Sequence, residues 1–489
     1  MKYTALVLLL ASSAFGADAK KPNVLFIAVD DLRPEFGAYD SKIVKSPNLD
    51  RLAASGMTFQ RAYCQQAVCS PSRSSLLTGT RPDTTKVYDL ETHFRKALPD
   101  VVTLPQHFKQ QGYFVQGMGK LFHGSLDDPG SWSVPWSKPK LPHGAYGLPE
   151  NRELAQKQVA AAKAKGKKLK AGPRGPAFES SDSPDNTFHD GALADMAVTA
   201  LKEAAGKGQP FWLGVGFIRP HLPFVAPKKY WDLYDPAQIT LAPNPFPPKD
   251  APDYAVTNFG ELRNYVGIPK EGPVPDDIAR QLKHGYYAAI SYMDAQVGRL
   301  LDELDTLGLR NNTIVVFWGD HGWKLGEHGS WCKHSSMEND TNAPLLISAP
   351  GMNAAGQKSP ALVEFVDIYP SLAELCGLPL PAHLEGTSFA PLLNDPGKPW
   401  KTAAFSQYPR GPKEAGKAVM GYSMRTDRYR LTRWVDRNNP TQVTAVELYD
   451  HQTDPQENIN IAADPRHADL VKQLTTQWEK GWRGAKPGV

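Results

Sequence analysis

The chain has 489 residues, of which 41% are hydrophobic and 22% are charged, so it can bury a large core and form more than one domain. Its 55 lysines and arginines barely outnumber its 51 aspartates and glutamates, which gives a formal net charge of +4. So small a basic excess does not indicate binding to nucleic acid, and we expect no nucleic-acid partner.

The first residues have the features of an export signal. One lysine precedes a short apolar run from Ala5 to Leu10, and small residues suitable for cleavage follow near Gly16 or Ala19. The run is much shorter than the ~20 residues that a membrane-spanning helix requires. We therefore predict a signal peptide over residues 1–19, a secreted or periplasmic mature protein, and no insertion into a membrane.

Four cysteines are too few for a disulfide scaffold, although an oxidising compartment permits one bridge. The sequence does not indicate which two would pair. They are Cys64, Cys69, Cys332 and Cys376.

Two apolar segments end in pairs of potential metal ligands. “NVLFIAV” is followed by Asp30 and Asp31, and “TIVVFWG” is followed by Asp320 and His321. Continuous apolar runs of this length are typical of buried parallel strands, whose carboxyl ends carry the ligand sites of α/β sheets. A helix cap or a turn is the alternative for one acidic pair, but two such strand ends favour a metal site.

Helix and strand patterns alternate along most of the chain. “TLPQHFKQQGYFVQGMGK” predicts a helix, a glycine turn and a strand, “PFWLGVGFIRPHLPF” a strand and a loop, and “AAISYMDAQVGRLLDELDTLGL” a long helix. This alternation predicts a doubly wound α/β domain over residues 20–379. Later segments such as “GYSMRTDRYRLTRWV” alternate like antiparallel strands and end in a helical tail, which predicts a smaller α+β subdomain over 380–489.

Residues 156–175, “QKQVAAAKAKGKKLKAGPRG”, form a stretch rich in lysine, alanine and glycine. Contact with an anionic polymer is possible for such a segment. A solvated surface insertion is the better interpretation, because charge runs are usually exposed and disordered.

The stretch “AVCSPSRSSLLTG” places Cys69 in an unusual setting. A free cysteine is most often a small buried hydrophobic residue. Here a polar turn surrounds the thiol, and the following residues predict the start of a helix, whose backbone amides favour an anion.

“CSPSR” followed by “LTG” resembles the Cys-x-Pro-x-Arg…Leu-Thr-Gly signature of the type I sulfatases, in which the cysteine is oxidised to formylglycine. “GMGKLFHG”, “IRPHLPF”, “WGDHGWKLGEHGSWCKH” and “FVDIYP” follow in the family's order and span nearly the whole mature chain. Several of these spacings look most like the iduronate-2-sulfatase branch. The resemblance implies a large alkaline-phosphatase-like mixed sheet sandwiched by helices.

The resemblance also implies the chemistry of sulfate monoester hydrolysis. A hydrated formylglycine made from Cys69 supplies one hydroxyl for attack on sulfur and keeps a second for release of sulfate, which a thiol cannot do. A divalent cation, calcium by family expectation, would be held at this position and by the two strand-end pairs. The implied metal ligands are Asp30, Asp31, Cys69, Asp320 and His321. Many type I sulfatases have Asn at the position of His321, so this histidine could instead support another ligand without binding the metal.

Five further residues match family positions that surround the reacting group. Arg73 would stabilise the hydrated aldehyde, and Lys120 and Lys333 would contact sulfate. His123 would act as the base in sulfate release, and His221 would protonate the departing sugar oxygen. The lysines could instead be ordinary surface residues.

Four other residues are weaker candidates for the pocket. His334 could bind substrate or be structural, and the same holds for His328. Arg219 and Trp323 are candidates for the pocket wall, although tryptophan is more often packed in a core.

The branch resemblance implies a 2-O-sulfated uronate of a glycosaminoglycan as substrate, and a formylglycine-generating or anaerobic sulfatase-maturing enzyme as partner. Sulfated oligo- and polysaccharides of other kinds, including algal ones, remain alternatives. So do a phosphomonoesterase or phosphodiesterase of the same superfamily, and a non-catalytic polysaccharide-binding protein.

Overall fold

The structure, a computed structural model, describes residues 21–141, 145–164 and 174–488. The predicted signal peptide, residues 1–19, lies outside this range. No helix in the described part of the chain is both long and apolar enough to cross a membrane.

Strands are found in both halves of the chain. They are β1 (Asn23–Val29), β2 (Met57–Tyr63), β3 (Phe114–Gly119), β4 (Phe178–Ser181), β5 (Phe211–Phe217), β6 (Phe224–Pro227), β7 (Thr313–Gly319), β8 (Leu345–Ser348), β9 (Lys358–Glu364), β10 (Ala404–Arg410), β11 (Val419–Arg425), β12 (Tyr429–Asp436) and β13 (Val443–Asp450).

The α-helices range from single turns to a helix of 31 residues. They are α1 (Pro47–Ala54), α2 (Cys69–Thr78), α3 (Pro82–Thr85), α4 (Leu104–Gln110), α5 (Pro149–Ala164), α6 (His189–Ala205), α7 (Lys228–Trp231), α8 (Gly260–Arg263), α9 (Asp276–Thr306), α10 (Glu338–Thr341), α11 (Ile368–Leu375), α12 (Pro412–Ala415) and α13 (Ala468–Glu479).

Seven strands form a large mixed sheet in the order β3-β5-β1-β7-β8-β2-β9. β1 is parallel to β5 and β7, and β3 is parallel to β5, whereas β8 is antiparallel to both of its neighbours. The carboxyl ends of β3, β5, β1 and β7 therefore meet along one edge of the sheet. The predicted α/β mixed-sheet fold is confirmed.

The side chains of β1 alternate between two hydrophobic cores. One core includes residues of α6 and α9, and the other includes residues of α2, α4 and α11. A strand that is covered on both faces has to be apolar throughout, which explains the unbroken run “NVLFIAV”. Leu25, Ile27 and Val29 enter the first core, and Val24, Phe26 and Ala28 enter the second.

The C-terminal part of the chain contains an antiparallel sheet in the order β10-β11-β12-β13. A separate small core joins this sheet to α13 through Met424, Leu431, Leu448 and Leu474. A C-terminal α+β subdomain is thus present, as the alternating sequence pattern predicts.

The lysine-rich and alanine-rich stretch differs from the prediction in its local structure. Its first part belongs to α5, in which Ala155 is the buried residue, and residues 165–173 lie outside the described range. Alanine, lysine and glutamine have high helix propensity, and this preference outweighs the tendency of a charge run to be irregular. Residues 156–164 are exposed or partly exposed, as predicted for a solvated segment, but they are helical.

Candidate active site

Four neighbouring parallel strands deliver side chains to the same edge of the large sheet. Each strand is followed closely by one or two of the residues that the sequence motifs single out. They are Asp30 and Asp31 after β1, Lys120 and His123 after β3, His221 after β5, and Asp320 and His321 after β7.

Helix α2 presents Cys69 to this edge. Cys69 is its first residue, Arg73 lies one turn further along on the same face, and all ten residues of the helix are buried. Gly79 ends the helix with a φ of 68°, and a Cβ there would lie 2.3 Å from Leu384 Cδ2. The glycine of “LTG” is therefore required by a left-handed turn and by close packing.

The Cys69 thiol is surrounded by ionisable groups. Its Sγ donates to Asp30 Oδ1 at 3.2 Å and lies 3.7 Å from Lys120 Nζ and 3.5 Å from His321 Nε2. Burial, and then the charge of Asp30, raises the pKa of this thiol well above its usual value. A protonated thiol is a poor nucleophile, so the setting does not favour direct catalysis by sulfur.

No cysteine forms a disulfide. Cys64, Cys69, Cys332 and Cys376 are all buried free thiols. The single bridge that export would permit is therefore not present.

Four side chains form a group with metal-binding geometry. Single ligand atoms of Asp30, Cys69, Asp320 and His321 all lie within 4.8 Å of one another, and all four residues are buried. Asp31 lies beside this group, since its Oδ1 is 3.5 Å from His321 Nε2. The structure thus brings together the five residues for which the resemblance implies metal binding.

The ring of His321 is oriented by a backbone contact. Its Nδ1 lies 3.0 Å from the carbonyl oxygen of Gly322, which can only accept, so Nδ1 carries a proton. Nε2 then points toward Asp31 and Asp320 at 3.5 Å from each. This tautomer is the one that an Nε2 metal ligand requires.

Asp31 adopts a left-handed backbone conformation with a φ of 58°. Its N–H donates to Asp320 Oδ1 at 3.2 Å, and its carbonyl oxygen accepts from the Tyr286 hydroxyl at 2.7 Å. These bonds stabilise a left-handed backbone conformation that few non-glycine residues adopt. The resulting turn directs the carboxylates of Asp30 and Asp31 toward the site.

Arg73 is a fully buried cation between two carboxylates. Its Nε lies 2.8 Å from Asp320 Oδ2 and its Nη2 3.7 Å from Asp30 Oδ1, while Nη1 donates to the Leu121 carbonyl oxygen at 3.2 Å. Burial lowers its pKa, but Asp320 and Asp30 more than compensate and raise it. Nη2 has no hydrogen-bond partner among the described residues, so one donor remains available to an anion.

Two lysines complete the positive side of the site. The Lys120 ammonium contacts Asp30, and Lys333 Nζ lies 3.0 Å from Asp31 Oδ1 and 2.8 Å from Glu261 Oε2. Burial lowers the pKa of both lysines, but the neighbouring carboxylates raise it above the ordinary value. Both are therefore charged, and neither is a free surface lysine.

His221 faces the site through Nε2. Its Nδ1–H donates to the Leu222 carbonyl oxygen at 2.6 Å, and Nε2 lies 3.2 Å from Glu261 Oε1 and 3.8 Å from Asp31 Oδ2. Burial lowers its pKa, but Asp31, Asp30 and Glu261 together raise it. These contacts favour the protonated imidazolium.

His123 and His334 lie at the margin of the cluster. Burial and a neighbouring lysine, Lys120 for the first and Lys333 for the second, lower the pKa of each ring to about 3. The ring of His334 packs 5.9 Å from that of Tyr408. Neither ring forms a hydrogen bond with Cys69 in the described part of the chain.

The weaker candidates are buried rather than exposed to a pocket. Arg219 donates to the Pro223 carbonyl oxygen at 2.7 Å, and Trp323 is fully buried with Lys333 Nζ 4.8 Å from its ring. His328 is 1% exposed, and neither of its ring nitrogens has a partner among the described residues. That Arg219 and Trp323 line the pocket wall stays a prediction, and Trp323 is in contact with Lys333 of the site.

Sequence reasoning missed two residues that hold this site together. Glu261 on α8 bonds both Lys333 and His221. Arg410 on β10 donates to backbone carbonyls of Tyr254 and His334, both at 2.7 Å. Neither lies in a recognisable motif, because each acts through contacts with segments distant in sequence.

The comparisons with known proteins define the class. The sequence profile of the family described as Sulfatase matches residues 22–378, and a profile described as N-sulphoglucosamine sulphohydrolase, C-terminal, matches residues 326–483. The chain therefore belongs to the sulfatase family and is a sulfuric ester hydrolase.

Within that family the chain is similar to iduronate 2-sulfatases. The Mus musculus enzyme is 37% identical, with 95% of each chain covered, and the Homo sapiens enzyme is 36% identical, with 92% of this chain and 93% of that one covered. A solved phosphonate monoester hydrolase of Agrobacterium radiobacter shares the fold, with a TM-score of 0.73 and 23% identity over 94% of this chain and 95% of that one.

Sulfatases use a formylglycine and a divalent metal ion, and the residues at this edge fit both. Three buried carboxylates and one oriented imidazole nitrogen make a mainly oxygen donor set, which suits a hard divalent cation. Cys69 lies within ligand distance of the same group, at the position that the family modifies.

We expect Arg410→Lys to lower the turnover of a sulfate ester by about 10-fold or more and to lower the melting temperature. The buried guanidinium joins the segment that precedes α8 to the residue that follows Lys333, and lysine cannot replace its fork of donors. Steady-state kinetics and thermal unfolding measure both effects. Arg433→Lys, which alters a partly exposed residue, is the matched control and should keep the turnover and melting temperature of the parent. Equal turnover and equal melting temperature in the two variants would contradict the bridging role of Arg410.

Proposed function

We propose that the protein hydrolyses the 2-O-sulfate ester of a uronate residue in a glycosaminoglycan or a related sulfated glycan. The proposal is carried by the placement of Cys69 at the start of α2, among buried carboxylates that pair with the cations Arg73, Lys120 and Lys333. Similarity to iduronate 2-sulfatases over nearly the whole chain supports the choice of sugar.

Cys69 is proposed to be the precursor of the formylglycine. The hydrated aldehyde supplies a hydroxyl for attack on sulfur and a second hydroxyl whose deprotonation allows sulfate to leave. Arg73, one turn further along α2 and held by Asp320, keeps a positive charge beside this position. The protonated, buried state of the unmodified thiol agrees with a role as precursor.

We propose calcium as the ion, held by Asp30, Asp31, Asp320 and His321 together with the modified residue 69. The bound ion would polarise a sulfate oxygen and neutralise charge at the reacting group. Lys120 and Lys333, which contact the carboxylates Asp30 and Asp31, have the reach and charge to hold the remaining sulfate oxygens.

We assign two histidines to proton transfer and one to the wall of the sugar pocket. His221, with Nε2 toward the site and a proton favoured by its acidic neighbours, would protonate the departing sugar oxygen. His123, which is neutral and has an unpartnered Nδ1, would take the proton that allows sulfate to leave. His334 would line the sugar pocket beside Tyr408.

The proposal extends to the route by which the enzyme is made. Residues 1–19 would direct export to the periplasm or the exterior and be removed, and a formylglycine-generating or anaerobic sulfatase-maturing enzyme would act on Cys69. We also propose a boundary at residue 379/380 between the catalytic domain and the C-terminal subdomain, which is supported by the separate core under β11–β13.

A panel of esters tests the substrate. We expect 2-O-sulfated uronates to be hydrolysed at least about 100-fold more efficiently, as kcat/KM, than 6-O-sulfated hexosamines, algal sulfated oligosaccharides or matched phosphate esters. A preference for an algal oligosaccharide would contradict the proposed sugar but not the sulfatase reaction. A preference for phosphate would contradict the reaction class, and binding without turnover by protein that carries the aldehyde would contradict catalysis.

A further inference from the structure

A cavity of about 410 Å³ lies between residues of the catalytic domain and of the C-terminal subdomain. It is lined by the segment after α2, by β10 and β11, and by the end of α13. None of the site residues identified above lines it. Cys69 begins α2, whereas Arg81 and Asp83 follow its far end, and a helix of ten residues spans about 15 Å. The cavity is therefore distinct from the catalytic site.

Fixed aromatic rings form one side of this cavity. Trp478 Nε1 donates to the Tyr422 carbonyl oxygen at 3.2 Å, and the two rings are 6.3 Å apart. The ring of Trp482 is held by the guanidinium of Arg81 at 4.9 Å, and Arg81 is itself fixed by two hydrogen bonds of 2.8 Å to Glu364. Partly exposed, rigid indoles offer apolar surface at little cost in conformational entropy.

The lining also includes a side-chain amide, that of Gln407, beside Asp83. Asp83 accepts from the hydroxyls of Tyr88 at 2.9 Å and Tyr422 at 2.8 Å and from Gln407 Nε2 at 3.0 Å. Since Nε2 donates to a carboxylate, the amide orientation is fixed and Oε1 is left facing elsewhere. Gln407 lines the cavity, and its Nε2 also donates to Met420 Sδ at 3.6 Å, so Oε1 is left to accept from a hydroxyl group.

Two cations stand at the rim. The Arg483 guanidinium lies 4.1 Å and Lys486 Nζ 5.0 Å from the Trp482 ring centre. Neither has a carboxylate within 4.0 Å in the described part of the chain. The lining also holds three carboxylates: Asp83 accepts the hydrogen bonds given above, Glu385 accepts from the Arg81 N–H and the Thr84 hydroxyl, and Glu479 lies 3.4 Å from Arg433. The cations beside Trp482 therefore make that end of the cavity positive, which favours an anionic group at that point.

We propose that this cavity is a non-catalytic binding site for a sugar unit that carries a sulfate or carboxylate group. The sugar ring would pack against the indoles, a hydroxyl would donate to Gln407, and the anionic group would lie against Arg483 and Lys486. The cavity would bind a sugar of the sulfated chain other than the one that is hydrolysed. This role rests on the proposed function, in which the substrate is a sulfated glycan. A chain held at two places binds more tightly than either contact alone provides.

The test uses the full-length Cys69→Ala protein, which binds without turnover. A heparin hexasaccharide is titrated calorimetrically into this protein with and without Arg483→Glu and Trp482→Ala. We expect the dissociation constant to rise at least about 5-fold in either variant. Arg466→Ala, which removes an exposed arginine paired with Asp464, is the control and should leave affinity unchanged. A fully desulfated hexasaccharide should bind weakly to all variants.

Kinetics of the active enzyme separate this site from the proposed function. With Arg483→Glu, KM for a sulfated hexasaccharide should rise at least about 5-fold, while hydrolysis of a small aryl sulfate stays unchanged. Equal affinity and equal KM in parent and Arg483→Glu protein would overturn the second site while leaving the sulfatase intact. Failure to hydrolyse uronate sulfates, with the affinity loss still present, would instead overturn the proposed substrate. Arg483→Glu changes an exposed side chain, so it also covers the case in which Trp482→Ala fails to fold.

Discussion

Cys69→Ala is expected to reduce sulfate-ester hydrolysis by a factor of about 1,000 or more, because alanine cannot be converted to the aldehyde whose hydrate is the proposed nucleophile. Kinetic assays on protein produced with a maturing enzyme measure the loss. Cys376→Ala removes another buried thiol, one that belongs to the hydrophobic core, and is the matched control. It should retain the turnover of the parent.

The same prediction has a direct chemical readout. Conversion of the Cys69 side chain from CH2SH to CHO removes about 18 Da from the peptide that contains it. Mass spectrometry of the digested parent protein should show this loss at Cys69 and at no other cysteine. Full activity with an intact thiol, or in Cys69→Ala, would disprove the formylglycine mechanism.

Asp320→Asn should abolish tight binding of the metal ion and lower turnover by about 100-fold or more. Asp320 joins the group of metal-binding side chains, bonds Arg73 and receives the N–H of Asp31, so the amide weakens both the charge and the orientation of the site. Elemental analysis of dialysed protein should find one divalent ion per parent chain and none in the variant. Calcium should raise the melting temperature of the parent alone.

Glu338→Gln is the control for this experiment. Glu338, His451 and Glu457 form another group with metal-binding spacing, but Arg425 and Arg430 already pair with its carboxylates. We expect that variant to keep one bound ion per chain. Unchanged metal content in Asp320→Asn, or a lost ion in Glu338→Gln, would place the metal elsewhere.

The residues that could be predicted from the sequence are those whose position depends on local pattern. An apolar run fixes where a buried strand ends, so the sequence alone assigns Asp30 and Asp320 to one edge of the sheet. The contacts among them follow from the strand order, which places β1 beside both β5 and β7. The family resemblance adds Lys120 and Lys333, whose charge alone would not distinguish them from surface lysines.

What could not be predicted depends on long-range packing. Glu261 reaches Lys333 and His221 from a one-turn helix without a motif, and Arg410 reaches the His334 backbone from another sheet. A sequence of one chain contains no local signal for such contacts. Helix propensity alone would have predicted α5. The closely spaced lysines in and after it led to the prediction of an irregular segment instead.

The burial of α2 sets an order of events in biosynthesis. Cys69 is 2% exposed, and the helix that begins with it has no exposed residue. The proposed maturing enzyme, if it binds the “CSPSR” segment in its own cleft, would therefore have to act before the sheet closes over that segment. Maturation would then compete with folding in time, and a chain that folded first would keep the thiol and lack the nucleophile. On this proposal the fraction of active enzyme in a preparation would be a kinetic property, and it would rise when the maturing enzyme is abundant or when folding is slowed.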